Sequence, residues 1–369
     1  MDSTTEFEKE WTEVDKLSAT CPACNAAIQF NPQTSKLSCP YCGFEEEIAK
    51  PENEQDQLAE EIDFESALER GNFNWGEEKK IVICSACAGE SVYDALEIAN
   101  VCPYCGSNHL MESSAENALA PNGICPFQVT REQADSNFKK WIKSRWFAPN
   151  EARRKAKADA FNGVYLPYWT FDTKTASQYT AEYGIDREVK DSDGKSRTVT
   201  DWYPTRGFYQ EFIDDCLVRA TTRYREDLLR KVEPFNTGKS LAYNKEYLTG
   251  YVAERYSIGL EDGWEIAQKD IHHQLEQSIR NVVTRQYHAD SVRNVRFSTT
   301  HSNITYKYVM LPLWVSSFRY KDKIYQFLVN GQTGKVGGQS PLSPIKVTLA
   351  IIFALIVLVI AAFFYMEGS

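Results

Sequence analysis

The C-terminal end of the chain has the longest apolar run. Residues 347–365 form 19 consecutive positions without a charged side chain, and Lys346 precedes them. A helix that rises ~1.5 Å per residue would span about 28 Å here, close to the ~30 Å hydrocarbon core of a bilayer. We therefore expect a transmembrane anchor over residues 346–366 rather than a buried core helix, since five turns without a polar face are rare in soluble proteins. Lysines precede this span and no basic residue follows it, so the positive-inside rule predicts a single pass with the N-terminal bulk in the cytoplasm.

The region from residue 118 to residue 340 mixes two kinds of hydrophobic pattern. Apolar side chains recur at helical spacing in residues 263–285, and residues 132–145 also read as a helix. Alternating segments rich in Tyr, Thr, Phe and Val predict strands at residues 163–183, 197–220, 292–308, 313–320 and 323–330. We expect one α+β domain of about 220 residues, which is large enough to bury its own core.

The first 80 residues carry most of the negative charge. They contain 19 acidic and 7 basic side chains, while the whole chain has a net charge of −10. This distribution excludes a uniformly basic nucleic-acid-binding protein. We expect a short N-terminal helix over residues 1–19 and an acidic linker over residues 45–79, in which residues 52–70 read as a sparsely apolar helix. The linker is either solvated or a docking surface for a basic partner.

Eight of the ten cysteines form a duplicated pattern. In each half, two Cys-x-x-Cys pairs are separated by fourteen residues, and the tetrapeptide Cys-Pro-Tyr-Cys recurs unchanged. The first set consists of Cys21, Cys24, Cys39 and Cys42, and the second of Cys84, Cys87, Cys102 and Cys105. Two such pairs on adjacent hairpins aim four thiolates at one tetrahedral zinc ion. We therefore predict two four-cysteine zinc ribbons, at residues 20–44 and 80–111, which together hold two zinc ions.

Zinc explains both sets better than disulfides or iron–sulfur clusters do. Disulfides conflict with a cytoplasmic location, and paired knuckles with proline suit zinc better than a cluster. A closed four-thiolate sphere leaves no open coordination position, which indicates a structural metal. Lys36 is the only charged side chain between residues 20 and 44, so the first ribbon favours contact with protein over contact with nucleic acid. Cys125 and Cys216 stand outside the pattern and are expected to be small buried residues.

The strongest basic stretch runs from residue 131 to residue 158, with aromatic side chains interleaved. We predict a membrane-facing or partner-facing basic patch that comprises Lys139, Lys140, Lys143, Arg145, Arg153, Arg154, Lys155 and Lys157. Anionic lipid, an acidic protein segment and nucleic acid are the candidate partners. The alternative is an ordinary amphipathic helix whose aromatic residues lie in the core and whose lysines face water.

Motifs of known catalytic chemistry are missing from the sequence. Residues 236–240 end like a phosphate-binding loop, but Glu233 occupies the position of the required first glycine. The Gly-x-Ser-x-Gly and His-Glu-x-x-His motifs do not occur. We therefore expect a protein that binds other molecules rather than an enzyme.

Several longer motifs match one known family. They are the two Cys-x-x-Cys ribbons and residues 141–149 (WIKSRWFAP), 163–169 (GVYLPYW), 301–305 (HSNIT) and 327–331 (FLVNG). On these motifs the chain resembles, over nearly its whole length, the bacterial TFIIB-type zinc-ribbon membrane proteins, often labelled primosomal protein N′ (replication factor Y)-like. The resemblance implies the bacterial inner membrane, a role in membrane stress or membrane organisation, and membrane-associated partners of the phage-shock-protein A and SPFH (flotillin-like) classes. The helicase label is not supported, because both ATP-binding motifs are lacking in the sequence.

These observations lead to one hypothesis and one alternative. The hypothesis is an α+β protein with two zinc ribbons and a C-terminal transmembrane helix, which acts as a tail-anchored adaptor. Its ribbons would dock soluble partners, and its anchor would hold them at the bilayer, where confinement raises their effective concentration. The alternative is a nucleic-acid-binding replication or transcription accessory protein, which predicts salt-dependent binding to DNA.

Overall fold

The described part of the protein combines helices with two β-sheets. The structure is a computed structural model. It describes residues 19–49, 51, 57–70, 79–84, 90–94, 110–113, 119–155, 158, 161–190, 196–222, 224–321 and 323–367. The helix predicted for residues 1–19 lies outside the described residues, apart from its last position. The mixed α and β fold class predicted from the sequence is confirmed.

The two sheets differ greatly in size. The small sheet contains four strands: β1 (Ala19–Thr20), β2 (Ala27–Asn31), β3 (Lys36–Ser38) and β4 (Glu45–Glu47), in that order and all antiparallel. The strands described in the large sheet are β5 (Ile62–Asp63), β6 (Lys79–Cys84), β7 (Glu90–Asp94), β8 (Leu110–Ser113), β9 (Gly123–Ile124), β10 (Asn162–Lys190), β11 (Ser196–Arg219), β12 (Leu241–Ala242), β13 (Val252–Glu254), β14 (Ser291–Tyr320), β15 (Lys323–Asn330) and β16 (Val336–Gly338). The described α-helices are α1 (Phe64–Arg70), α2 (Arg131–Ser144), α3 (Asn150–Lys155), α4 (Glu226–Val232), α5 (Leu260–Tyr287) and α6 (Pro344–Glu367).

Two very long strands, β10 and β14, organise the large sheet. They run antiparallel and are paired from Asn162 with Val315 to Gly184 with Ser291. Eight strands follow the order β12-β9-β14-β10-β13-β7-β6-β8. Of the other four, β11 pairs with β10, β5 and β15 pair with β14, and β16 pairs with β15. At 29 and 30 residues, β10 and β14 are far longer than the roughly 3–10 residues of ordinary strands. The two strands predicted at residues 292–308 and 313–320 are therefore parts of one continuous strand.

The first half of β10 is buried on both of its faces. Val164, Leu166 and Tyr168 belong to an apolar cluster that also contains the buried side of α4. The alternate residues Tyr165, Trp169 and Phe171 belong to the main core, on the side of α5 and the small sheet. Successive side chains of a strand point to opposite faces. A strand covered on both sides therefore reads as a continuous apolar run, as residues 164–171 do.

The second half of β10 forms an extension that we call the arm, which consists of residues 174–190 and the paired parts of β11 and β14. Helix α5 covers one face of the arm, where Tyr179 packs with Ile279 and Val283. Farther along, the rings of Tyr183 and Tyr287 stack with their centroids 4.2 Å apart. The opposite face of the arm is exposed, because side chains alternate between the two faces.

The segment between the two cysteine sets is partly docked on the large sheet. The helix predicted for residues 52–70 is confined to α1, and residues 57–63 are not α-helical. Ile62 instead pairs with Tyr306 of β14, and Leu58 forms a β-bridge with Leu241. A short isolated helix gains little in water. Pairing with a preformed sheet is therefore the more stable arrangement for these residues.

Gly331 occupies a position where a side chain does not fit. A Cβ atom there would lie 2.6 Å from the ring of Phe127 and 2.8 Å from the Cβ of Pro312. Phe127 is held in place because its ring stacks on that of Tyr251, with the centroids 4.3 Å apart. We expect Gly331→Ala to lower the free energy of unfolding by about 1–3 kcal/mol. The control Gly238→Ala would meet its nearest atom at an ordinary 3.5 Å, and equal destabilisation of both variants in urea titrations of the full chain would contradict the prediction.

Candidate functional site

The first four cysteines lie at two turns of the small sheet. Cys21 follows β1 and Cys39 follows β3, and in each turn the residue four positions after the first cysteine donates its N–H to that cysteine's carbonyl. These residues are Asn25 and Gly43, with φ of 57° and 75°. Glycine and asparagine tolerate this left-handed conformation best. The backbone therefore folds both pairs into the same knuckle, which turns the second cysteine back toward the first.

The four sulfur atoms form a compact cluster. The Sγ atoms of Cys21 and Cys42 are 3.5 Å apart, and those of Cys24 and Cys39 are 3.6 Å apart. All four lie within 4.8 Å of one another. A tetrahedron with metal–sulfur distances of ~2.3 Å has edges of about 3.8 Å, whereas a disulfide would bring two sulfurs to ~2.05 Å. The cluster has the dimensions needed to hold one metal ion.

The thiols of the cluster affect one another's ionisation. The backbone N–H of Cys42 lowers the pKa of Cys39 to about 7. The backbone N–H of Phe44 also acts to lower the pKa of Cys42, but the neighbouring thiols and burial raise it to about 12. Four thiolates at this spacing repel one another unless a cation lies between them. The donor set therefore fits a soft divalent metal such as zinc.

The small sheet with its cysteine knuckles is fixed to residues 247–251, which lead into β13 of the large sheet. We call residues 19–49 the four-cysteine unit. The N–H of Phe30 donates to the carbonyl of Thr249 at 2.9 Å, and the hydroxyl of Tyr251 donates to the carbonyl of Phe30 at 3.2 Å. The ring of Phe30 is buried edge-on against Tyr247 at 5.3 Å. The knuckles themselves stay accessible, with Tyr41 76% exposed. One side of the four-cysteine unit is thus attached, and the metal-binding end is presented to the surroundings.

The second cysteine set lies almost entirely outside the described residues. Cys84 is the last residue of β6, whereas Cys87, Cys102 and Cys105 are not described. Strand β6 pairs with β7 and β8, which belong to the large sheet. The second metal site therefore stays a prediction.

The predicted basic patch is divided between α2, α3 and the loop that joins them. Lys139, Lys140 and Lys143 are exposed on α2, whose opposite side buries Phe138 and Ile142. Arg145, Arg153 and Arg154 lie near the C-terminal end of α2 or on α3. Lys155 ends α3, and Lys157 lies outside the described residues. Helix α2 is thus amphipathic, as the alternative interpretation predicts. Its C-terminal end, which carries Lys143, lies next to α3.

A contact that the sequence did not reveal joins this region to α6. The Nζ of Lys346 donates to the carbonyls of Trp146 and Ala148, at 3.0 and 2.8 Å, and to Oδ1 of Asn150 at 2.7 Å. In the sequence, Lys346 is distinguished only by its position directly before the apolar run. No local pattern links residues almost 200 positions apart, so sequence periodicity could not identify these partners.

A buried cluster of charged groups was also not predicted from the sequence. The side chain of Lys307 on β14 is only 7% exposed, and its Nζ lies 3.0 Å from a carboxylate oxygen of Glu61 and 2.8 Å from one of Asp215. Burial acts to lower the pKa of Lys307, but its hydrogen bonds to these two carboxylates raise it. A lysine inside an otherwise apolar strand segment was the available signal, because buried lysines are rare unless they are paired.

Asp172 adds a third carboxyl group to this cluster. Its Oδ1 accepts a hydrogen bond from the backbone N–H of Asp215 at 2.7 Å. Burial, with a smaller contribution from the hydrogen bond to Glu61, raises the pKa of Asp172 to about 7. The cluster attaches the segment before α1 to the centre of the large sheet.

Zinc content provides a direct test of both cysteine sets. We expect Cys24→Ser to lower the zinc bound to the purified full chain by roughly one equivalent, because a tetrahedral site with three thiolates binds less tightly. Cys87→Ser should remove the same amount from the second predicted site. The control is Cys216→Ser, which should keep the original zinc content. Mass spectrometry of the metal supplies the measurement, and an unchanged content in Cys24→Ser would contradict the assignment.

Asp172 should make stability depend on pH. The folded protein holds a proton on Asp172 up to about pH 7, whereas the unfolded chain releases it near the ordinary value of 3.8. The unfolded state therefore binds fewer protons between these values, and the stabilisation decreases as pH rises toward 7. In Asp172→Asn the amide can donate to Glu61 at every pH.

The melting temperature of the full chain in detergent is the quantity to measure for this prediction. We expect Asp172→Asn to raise it by about 2–4 °C at pH 8 and to leave it nearly unchanged at pH 5. The exposed neighbour Asp214 supplies the control variant Asp214→Asn. A shift of equal size at both pH values would show that Asp172 does not titrate as described.

Comparison with known proteins gives one clear similarity. The uncharacterized protein YdjG of Bacillus subtilis (strain 168) is 26% identical over 331 residues, which covers 90% of this chain and 92% of YdjG. No family model matches the chain. No solved structure matches it. The similarity extends through nearly the whole chain, so the architecture described above is expected to be shared with YdjG.

Proposed function

We propose that the protein is a tail-anchored adaptor that recruits soluble partners to the cytoplasmic face of a bacterial inner membrane. The main support for this proposal is that α6 is long and apolar enough to cross a membrane. None of the residues in its apolar segment Pro344–Ala361 is buried against the rest of the protein. A soluble core helix of this composition would be covered. A lipid environment supplies the missing cover and leaves the described domain on one side of the bilayer.

The four-cysteine unit supports the binding half of the proposal. Its attached side is occupied by the large sheet, and its knuckles stay exposed with Tyr41 at the tip of the second one. A metal held by all four thiolates would make these short turns rigid, and a closed four-thiolate sphere favours a structural role. An exposed aromatic side chain on a rigid turn is typical of a protein-binding surface.

The partner classes come from the family resemblance. Membrane-associated proteins of the phage-shock-protein A and SPFH types are the partners we propose, with a role in membrane stress or membrane organisation. A fixed docking surface at the bilayer would raise the local concentration of such a partner without any new contact. The proposal needs no catalytic step.

The test uses full-length protein in liposomes and a purified phage-shock-protein A-type partner. We expect the liposomes to retain the partner, and we expect Tyr41→Ala to weaken its retention at least about tenfold, because exposed aromatic anchors dominate such interfaces. Cys24→Ser should weaken it as well. The matched control is Phe208→Ala, which removes an exposed aromatic side chain from the arm and should have no effect.

Two results would overturn this proposal. One is that the full chain stays in solution without detergent and does not sediment with membranes. The other is that Tyr41→Ala and Cys24→Ser both retain the partner as well as the unaltered protein does. Salt-dependent binding of the full chain to DNA, together with no retention of the partner, would favour the nucleic-acid accessory role instead.

A further inference from the structure

The loop between α2 and α3 is bound to the first turn of α6. Lys346 makes three hydrogen bonds of 2.7–3.0 Å to residues 146–150. One turn earlier, the backbone N–H of Ser343 donates to the carbonyl of Phe147 at 2.8 Å. Backbone and side-chain contacts thus fix this loop beside the start of the apolar helix. The position of the loop relative to a membrane is therefore set by the position of the start of α6.

Large apolar side chains are exposed at this junction. Trp146 and Phe147 are 57% and 44% exposed, and their rings meet edge to face with centroids 4.9 Å apart. Leu342 and Ile345 are exposed as well, just before and at the start of α6. We call these four residues the ledge. Adjacent exposed aromatic and aliphatic side chains are costly in water and indicate a surface that is covered in the working protein.

Basic side chains lie beside the ledge. Arg145 directly precedes Trp146, and its guanidinium lies over the ring of Trp141 at 4.7 Å. Arg153 donates to the carbonyl of Lys143 at 2.8 Å, which holds α3 against the C-terminal end of α2. Lys143 and Arg154 are exposed on these two helices. Lys140 lies one turn before Lys143, so α2 presents its positive charge next to the ledge.

We propose that the ledge inserts into the headgroup region of the bilayer and that the surrounding basic residues bind anionic phospholipid headgroups. This inference rests on the proposed membrane anchoring. A lipid leaflet is the expected partner of the ledge, because the ledge is hydrogen-bonded to Lys346, the residue at which α6 would enter the hydrocarbon. Tryptophan is enriched at membrane interfaces, and lysine and arginine near the surface are attracted to anionic lipid. An acidic protein or a nucleic acid would have to displace the leaflet from this position.

Insertion of the ledge would also restrict the orientation of the protein. A single helix attached through a free linker would let the domain pivot over the membrane. Here the ledge adds a second contact with the leaflet, beside the point where α6 enters the membrane. The two contacts together would hold the arm and the four-cysteine unit in a fixed orientation relative to the membrane surface.

The experiment places a photocrosslinking residue at three positions of the full chain in lipid nanodiscs. Trp146→p-benzoylphenylalanine tests the ledge, and Phe353→p-benzoylphenylalanine tests the membrane span. Phe212→p-benzoylphenylalanine is the matched control, since Phe212 is as exposed as Trp146 but lies on the arm. We expect lipid adducts at positions 146 and 353, and a yield at position 212 lower by at least about tenfold.

The three positions separate the inference from the proposed function. Lipid adducts at position 353 without adducts at position 146 would overturn the ledge and leave the anchoring intact. Missing adducts at position 353 would overturn both. A yield at position 212 equal to that at position 146 would also overturn the ledge, because any exposed aromatic position would then react.

Lipid charge tests the headgroup part of the proposal. We expect the adduct yield at position 146 to be at least about threefold higher in nanodiscs that contain phosphatidylglycerol than in phosphatidylcholine alone. Combining Lys140→Gln, Lys143→Gln and Arg154→Gln should remove this difference. Combining Lys174→Gln, Arg206→Gln and Arg296→Gln, which neutralises exposed basic residues on the arm, should preserve it. Equal adduct yields in both lipids would overturn headgroup binding. A yield that decreases when DNA is added but does not depend on lipid charge would overturn it as well.

Discussion

The main-chain pairing between β10 and β14 is the constraint on which the other contacts depend. At one end of this pair, both faces of the sheet are buried, and α4, α5 and the four-cysteine unit all pack near it. At the other end, the same two strands continue into the arm, where α5 covers one face. Antiparallel strands tolerate water on one face, whereas a strand buried on both faces needs apolar side chains at most positions. The change from continuous to alternating apolar residues along β10 marks this transition, with an irregular register near Asp172.

Charge inside the sheet is possible because it is fully paired. Lys307 is buried between carboxylates that come from different parts of the chain, Glu61 before α1 and Asp215 on β11. Removing Lys307 would leave the carboxylates of Glu61 and Asp215 without their cation, which is far more costly than the ion pairs themselves. The cluster therefore acts as a specific attachment for the segment that links the two cysteine sets. It holds that segment on β14, where the apolar contacts of Ile62 and Leu58 add to it.

Sequence patterns predicted the features whose signals are local. The cysteine spacing identified the cluster at Cys21, Cys24, Cys39 and Cys42, and the uncharged run identified α6. Period-two alternation located β10, β11 and β14, but it split β14 into two segments on either side of residues 309–312. The partners of Lys346 and Lys307 could not be predicted, since each depends on residues far away in sequence. Long-range contacts of this kind follow from the packing of the sheet and not from any window of neighbouring residues.

The four-cysteine unit and the domain are mechanically coupled through one strand. Strand β2 leads from the first knuckle and carries Phe30, whose ring and backbone both contact residues 247–251. Gly250, at a φ of +85°, allows this approach, because a Cβ there would lie 2.5 Å from the Cβ of Gln29. A metal that fixes the two knuckles would thus also fix β2 against the domain. Under the proposed anchoring, the metal would therefore determine where the exposed knuckles are held relative to the membrane, in addition to stabilising the turns themselves.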